Sequence, residues 1–254
     1  MAKTKEAPPS GVLPMFFNTP MAVDPKRHAK AGITAMSDMS FARSTNSIAI
    51  NAVEFFEAAK FYPIVFTGED VPMPGIIVGL EKRNYFVDRK GQWKDGAYMP
   101  AYVRKYPFLF LDVPEQKQLL LCVDESAAQF REQGGKDAHA LFDGEKPSAL
   151  CNNALEFCKA YHQHYTHTIA LGRDLKRSGV LEPMQSSTKM KDGRSITLNG
   201  FWVVDEKKLS ELPDEMILDF HKRGIMPLLY ATLFSASNWK RIGDMAEMME
   251  RYAA

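Results

Sequence analysis

The sequence predicts an α+β fold with a mostly antiparallel sheet. Between Tyr62 and Asp124 the chain carries short apolar, aromatic and β-branched runs cut by Gly, Pro, Asn and Asp, as successive strands are. We assign further strands between residues 183 and 234. Two patterns with helical spacing, at about residues 148–178 and after Ser237, predict the helices that cover the sheet.

Residues 1–40 are rich in Pro, Ala, Ser and Met and keep no sustained period. We expect an N-terminal tail that is partly extended or mobile, with an apolar piece at residues 12–17 that could dock. No repeat or Gly/Ser linker divides the remainder. Residues 41–254 are therefore predicted to form a single domain.

The first elements after the tail are a strand and a short helix. The run SIAI from Ser47 predicts the strand, and Asn51 is a suitable N-cap for a helix that carries Val53 and Phe56. Residues 89–91, Arg-Lys-Gly, lie between two aromatic runs, and their Gly can supply the positive φ of a tight turn. This segment is predicted to be a hairpin tip.

Two strands and a short helix are expected next. Phe108 to Leu111 is apolar at every position, which predicts a strand covered on both faces, and Gln118 to Val123 should pair beside it. A short helix is expected at residues 125–132. Asp124 and Glu125 are adjacent and point apart, so we interpret them as helix caps rather than as paired catalytic carboxylates.

The longest helical pattern spans about residues 148–178. Its members recur mostly at three- and four-residue steps: Cys151, Leu155, Cys158, His162, Tyr165, Ile169 and Leu175. We expect Leu155, Cys158, Tyr165 and Ile169 to pack against the sheet.

The last third of the chain contains a hairpin, helices and one more strand. Asp192-Gly193 predicts a turn that pairs residues 183–190 with 196–204, and Asp205 can cap a short helix. A further helix should begin after Pro213 and end before Gly224. Ile225 to Phe234 is predicted as the last strand, before a terminal helix whose apolar stripe is Trp239, Ile242, Met245, Met249 and Tyr252.

Charge and cysteine content exclude several classes of protein. The 254 residues include 32 basic and 31 acidic ones, so no overall field favours nucleic acid or an anionic membrane. Three cysteines without metal-site spacing indicate buried thiols rather than disulfides or zinc. No signal-peptide pattern and no run long enough to span a bilayer is present, so we expect a cytoplasmic protein.

The common catalytic and nucleotide-binding motifs are absent from the sequence. His162, His164 and His167 form the one local histidine cluster, but on a helix His162 points about 160° away from His164. We therefore expect no metal site there, no cofactor, and no catalytic residue that can be named.

A candidate binding surface consists of Tyr98, Tyr102, Arg104 and Tyr106. In an extended strand these residues share one face, and rings around a guanidinium can stack on a ligand ring or bind a carboxylate. The alternative is that the tyrosines pack under the long helix and Arg104 pairs with an acid of the chain. We favour the internal pair, because an unpaired charge near the sheet centre would be costly.

Several blocks of the sequence resemble the bacterial SapC family. They occur in family order over about residues 41–240: EFFEAAKFYPIVF at 54–66, GL at 79–80, NYFVDRKGQW at 84–93, YMPAYVRKYPF at 98–108, LFDGE at 141–145, LNGFWVVDEKKLSELPDE at 198–215 and LLYATLFSASNW at 228–239. A peptide-transport permease and a saposin fragment share the name, but the chain has neither their spanning helices nor their six cysteines.

The resemblance implies a role near the bacterial envelope. Founding members of the family are linked to a surface layer, and relatives occur near outer-membrane receptors and peptide-modifying oxygenases. The first hypothesis is thus a non-enzymatic accessory or binding protein with a protein or peptide partner, at the cell surface if another export route exists. The second is an enzyme that acts on a peptide or small polar ligand through residues distant in sequence.

Overall fold

The computed structural model describes residues 13–113, 118–189 and 193–251. Its strands are β1 (Pro20–Ala22), β2 (Gly32–Thr34), β3 (Ser47–Ala49), β4 (Ile64–Thr67), β5 (Met73–Ile77), β6 (Phe108–Val113), β7 (Gln118–Asp124), β8 (Phe130–Arg131), β9 (Ala138–Ala140), β10 (Phe142–Asp143), β11 (Lys146–Pro147), β12 (Leu181–Lys189) and β13 (Ser195–Val204). Its helices are α1 (Phe55–Ala58), α2 (Ala101–Arg104), α3 (Ala149–Ser178), α4 (Glu206–Ser210), α5 (Asp214–Lys222), α6 (Ile225–Ser235) and α7 (Asn238–Arg251). Short 3₁₀ turns occur at Ser40–Ala42 and Ala52–Glu54.

The predicted α+β class is confirmed, with antiparallel pairing, a long helix α3 and a C-terminal helix α7. The strands form four sheets rather than one: β1-β7-β6, β8-β2-β9, β10-β11 and β12-β13-β4-β5-β3. The chain groups into two compact units. Unit 1 takes the chain up to Asp38 together with Arg104–His162, and unit 2 takes Met39–Val103 together with the chain from Gln163. The predicted tail of residues 1–40 and single domain of residues 41–254 stay predictions.

Unit 1 contains the three smaller sheets and the first half of α3. Strands β6 and β7 pair as predicted, with Leu109 opposite Cys122, while residues 114–117 lie outside the described residues. Part of the expected tail is paired here, since β1 adds to β7 and β2 lies between β8 and β9. One apolar core holds these pieces together: Ala31, Ile33, Phe108, Val123, Leu141, Phe142 and Cys158.

Unit 2 is built on the five-stranded antiparallel sheet. The predicted β12–β13 hairpin is confirmed, and residues 190–192 of its turn lie outside the described residues. The hairpin tip near Gly91 is also confirmed: the Asp88 N–H donates to the Gln92 carbonyl at 3.0 Å, and Gly91 has φ 77. Large side chains with at most 1% solvent exposure fill the core, among them Tyr62, Phe55, Phe66 and Phe86.

The prediction of a last strand at Ile225 to Phe234 is wrong, because this segment is α6. A continuous apolar run has no period that separates a buried strand from a buried helix, and its length favours a helix. Pro227 is in the first turn, where a missing N–H costs nothing. Burial follows helical spacing: Ile225 and Leu229 are buried, whereas Tyr230 is 58% exposed.

The short helix expected at residues 125–132 is also wrong. This segment consists of turns followed by β8. Asp124 is fully buried and caps a loop instead of a helix, since its carboxylate accepts the N–H groups of Asn18 at 2.9 Å and Thr19 at 3.0 Å. These bonds hold the chain that leads into β1 against the end of β7.

The bounds of α3 agree with the prediction, but its buried face does not agree fully. Cys158 is buried, whereas Tyr165 is 42% exposed. Further along, Thr168, Leu171 and Leu175 are buried instead. The helix ends of unit 2 follow the sequence signals: Asn51 forms a capping box with Glu54, and the Asp205 side chain accepts from Lys208 N–H at 2.7 Å.

Within the described ranges, no helix has both the length and the apolar character needed to cross a bilayer.

Candidate functional site: a cavity in unit 1

The four candidate residues do not lie on one strand. Residues 101–104 form α2, and the Val103 N–H donates to the Pro100 carbonyl at 3.0 Å at its start. Tyr102 and Arg104 are two residues apart on a helix, so their side chains are turned about 200° from each other. The prediction that the candidate residues share one face of a strand is therefore wrong. Tyr98 and Tyr102 belong to unit 2, whereas Arg104 and Tyr106 belong to unit 1.

In unit 2, Tyr98 is partly buried and Tyr102 is buried. The buried carboxylate of Glu54 accepts the Tyr98 hydroxyl at 2.8 Å and the Ala101 N–H at 2.8 Å, and it also accepts the Asn51 N–H at 2.8 Å. Burial raises the pKa of Tyr102 to about 12. These contacts fix the chain that leads into α2.

Arg104 is exposed rather than buried at a sheet centre, which corrects the premise on which the internal ion pair rests. Its guanidinium carbon lies 5.5 Å from the centre of the Phe157 ring on α3. A cation over an aromatic face is attracted to it. Arg104 is thus positioned by packing within unit 1.

Tyr106 is buried beside Phe17, with ring centres 5.2 Å apart. Burial, and then the neighbouring Asp124 carboxylate, raise the pKa of Tyr106 to about 12. The phenol therefore stays neutral at physiological pH and contributes an apolar ring and a hydroxyl group.

Lys105, which the sequence reasoning did not select, lies between these two residues. Its Nζ is 4.6 Å from the centre of the Tyr161 ring and 5.3 Å from that of Phe17. Burial lowers the pKa of Lys105 to about 8, against a smaller opposing effect of Cys158. The amine therefore carries a charge at pH 7 in surroundings that are largely apolar and aromatic.

Arg104, Lys105 and Tyr106 line a cavity of about 300 Å³. The full lining is Ile33, Thr34, Ala35, Met36, Arg104, Lys105, Tyr106, Pro107, Phe108, Gln129, His139, Leu150, Asn153, Ala154, Phe157 and Cys158. Two of these residues are cationic, while no Asp or Glu is among the described residues that line it. Its volume is at the lower end of the range for ligand pockets, about 300–1,000 Å³.

Gln129 is one of the lining residues, and it carries an unsatisfied acceptor. The residue is 4% exposed, and its Nε2 donates to the Asp38 carbonyl at 3.1 Å. Its Oε1 accepts no hydrogen bond within the described part of the chain. Buried side-chain oxygens normally have a partner, so this oxygen is an exception within the described part of the chain.

The sulfur and imidazole groups offer no comparable site. Burial raises the pKa of Cys158 to about 11, which keeps the thiol protonated and a poor nucleophile. His162, His164 and His167 are all exposed on α3. Across the three described ranges, no group of three His, Cys, Asp or Glu side chains could hold a metal ion.

The comparison with protein families agrees with the resemblance in the sequence. A family model described as SapC matches residues 23–242. The chain belongs to the SapC family. No curated protein and no solved structure matches it. In this SapC-family protein the matched range starts before β2, and it contains all the residues that line the cavity.

Sequence reasoning found Arg104 and Tyr106 and missed Lys105, Gln129 and Phe157. A two-residue period that includes Arg104 and Tyr106 passes over Lys105, which directly follows α2. Phe157 is not among the residues that recur at three- and four-residue steps along α3. Nothing in the local sequence distinguishes Gln129 from other polar loop residues.

Proposed function

We propose that this SapC-family protein is a non-enzymatic accessory or binding protein that works with bacterial envelope or surface-layer machinery. It acts by holding an anionic group of a peptide or small polar ligand in the cavity of unit 1. The surface-layer association is what the family resemblance implies, and the mode of action comes from the cavity.

The observation that carries the proposal is the charge of the cavity wall. Arg104 and Lys105 face the cavity without an acidic residue among its described lining. A concave surface lined by charges of one sign attracts ligands of the opposite sign. The described residues contain no catalytic motif, no reactive thiol and no grouped set of metal ligands. These observations agree with specific binding of a ligand rather than its conversion.

Affinity capture from an envelope extract of the source bacterium tests this function. Immobilised wild-type protein and Arg104→Ala are incubated with the extract, and bound peptides and small molecules are identified by mass spectrometry. Arg173→Ala is the matched control, because Arg173 is an exposed arginine on α3 outside the cavity. We expect an anionic ligand on the wild type and the control but not on Arg104→Ala. Identical ligand profiles for all three proteins would contradict the proposal.

Lys105 favours a second candidate, an enzyme that acts on a peptide or small polar ligand. An amine with a pKa of about 8 in a cavity is of the kind that enzymes use as a nucleophile or base. The test is to incubate the captured ligand with wild type and Lys105→Met. Conversion by the wild type alone would favour the enzyme, whereas unchanged ligand with both proteins favours the binding role.

The proposed compartment is the cytoplasm, and the cell surface is the alternative. Immunoblots of cytosol, periplasm and surface fractions, with markers for each, separate the two.

A further inference from the structure

The helix α6 has no charged face, and yet one of its sides lies at the surface of unit 2. Its sequence, IMPLLYATLFS, contains no charged residue, and Ile225 and Leu229 are buried in the core. The opposite side carries Pro227, Tyr230 and Phe234, which lie within about 60° of one another around the helix axis. Tyr230 is 58% exposed and Phe234 is 66% exposed. A helix that is apolar on every side is normally buried, so we expect a cover over the exposed side of α6.

The neighbouring helix α1 adds apolar side chains. It packs against α6, and its Phe56 is 54% exposed, while Val53 in the preceding 3₁₀ turn is 60% exposed. We call Val53, Phe56, Pro227, Tyr230 and Phe234 the α6 patch. Exposed apolar side chains that are concentrated on two packed helices, rather than scattered singly, are typical of an interaction site.

The size of the α6 patch fits a specific interface between proteins. Such an interface buries about 800 Å² per partner, with an apolar core and a polar rim. Phe56, Tyr230 and Phe234 together leave roughly 350 Å² open, if an aromatic side chain has about 200 Å² of surface. A core of this area needs only an ordinary polar rim to reach the size of a stable dimer interface.

The two ends of α6 carry charges of opposite sign. Lys222 is exposed just before the N-terminal end, whereas the exposed Glu57 is on α1. The Asn238 amide, just after α6, donates to the Ala59 carbonyl, just after α1, at 2.7 Å, which places α1 beside the C-terminal end of α6. The Glu57 carboxylate contacts Lys60 Nζ at 2.6 Å, and a carboxylate can accept further donors.

We propose that the α6 patch is the contact between two copies of this chain, which pack α6 against α6 in opposite directions about a two-fold axis. The same surface of each protomer then covers the other, as a two-fold interface requires. Lys222 of each protomer lies toward Glu57 of the partner subunit, and the opposite ends of the two helix dipoles meet. The proposal concerns unit 2 and goes beyond the proposed function.

A lipid surface fits the α6 patch less well than a second copy. Helices that lie on a membrane carry many Lys and Arg residues next to their apolar side. Here α6 has none, and the exposed charges near its ends, Lys222 and Glu57, differ in sign.

Sedimentation velocity of the full-length protein, from nanomolar to high micromolar concentration, tests the dimer. We expect the wild type to be dimeric at high concentration and to dissociate on dilution. Phe234→Glu should raise the dissociation constant at least about thirtyfold, as the loss of a central aromatic residue does, because two like charges would also meet in an apolar contact. Met248→Glu is the matched control, because Met248 is a 55% exposed apolar residue on α7 outside the patch, and it should leave the dissociation constant unchanged.

Charge reversals test the direction of packing. Lys222→Glu and Glu57→Lys should each raise the dissociation constant by up to about fivefold, the effect of an exposed ion pair. The double variant should recover most of the affinity, because the two charges again differ in sign. A double variant that is weaker than both single variants would overturn the antiparallel packing.

A wild type that stays monomeric at the highest concentration would overturn the proposal, and so would equal dissociation constants for Phe234→Glu and Met248→Glu. Flotation with vesicles of phosphatidylethanolamine and phosphatidylglycerol tests the lipid alternative. A monomer that binds these vesicles through Phe234 would assign the patch to a membrane surface and overturn the dimer. Circular dichroism melts check that each variant is folded, and Tyr230→Glu, with the same expected loss, replaces Phe234→Glu if that variant is not.

Discussion

Replacing Lys105 by methionine should change the way in which stability depends on pH. Burial lowers the pKa of Lys105 from 10.5 to about 8 in the folded protein. Below pH 8 the amine is charged in both states, and only the folded state bears the cost of its desolvation. Between pH 8 and 10.5 the folded protein has lost the proton and the unfolded chain keeps it, so stability rises with pH. Above 10.5 both forms are neutral and the cost is gone.

The magnitude follows from the two pKa values. One pKa unit is worth about 1.4 kcal/mol, so the cost at pH 7 is up to about 3 kcal/mol. Contacts of Nζ with the Phe17 and Tyr161 rings favour the charged form and reduce this amount. Methionine keeps most of the length of the side chain and removes the charge. The variant should thus be most favoured over the wild type at pH 7, and its advantage should shrink by 10.5.

Urea unfolding at intervals from pH 7 to 10.5 measures the difference in free energy of unfolding between the two proteins. Other groups titrate alike in both and cancel in the difference. Lys176→Met is the matched control, because Lys176 is an exposed lysine on α3, and its difference should be flat. A flat difference for Lys105→Met as well, or one that grows with pH, would refute the account of the cavity charge.

Three further predictions concern the fold. Glu54→Ala should lower the free energy of unfolding by about 3–5 kcal/mol in urea titrations, because one buried and two partly buried donors lose their acceptor, and a loss below about 1 kcal/mol would contradict the network. Gly172→Ala should lower the melting temperature, since the new Cβ would overlap the Pro72 carbonyl oxygen. In Gly243→Ala on α7 the new Cβ meets only one side-chain methyl group, at 3.8 Å, so the melting temperature should stay the same or rise. Equal effects of the two substitutions in thermal melts would refute this. Limited proteolysis should yield a resistant fragment that starts near residue 41 if residues 1–40 form a tail, and protection of β1 and β2 would count against that division.

Local signals predicted the helix ends and hairpins because the residues that cause them are neighbours in sequence. Asn51 and Glu54 form their capping box across three residues, and Gly91 turns a hairpin only a few residues long. The bounds of α3 were likewise predictable, since its apolar residues recur over many turns.

Tertiary contacts determine the secondary structure of the segments that the sequence reasoning assigned wrongly. The alternation of Tyr98, Tyr102 and Arg104 fits a strand, but Glu54, 44 residues away from Tyr98, accepts two hydrogen bonds from this segment where the chain enters α2. The apolar run that forms α6 has no distinguishing period, and its helical burial is visible only from its neighbours. Half of the candidate site depended on such contacts, because Gln129 and Phe157 reach the cavity from segments distant in sequence from Arg104.

The central claim is that the ligand occupies the cavity of unit 1. The most direct measurement is an NMR titration of methyl-labelled protein with the ligand recovered from the envelope extract. The account predicts shifts at the methyl groups of Ile33, Leu150 and Ala154, which line the cavity, and none at Ile48 and Ile76 in the core of unit 2. Shifts confined to unit 2, with the cavity methyl groups unmoved at saturation, would contradict it.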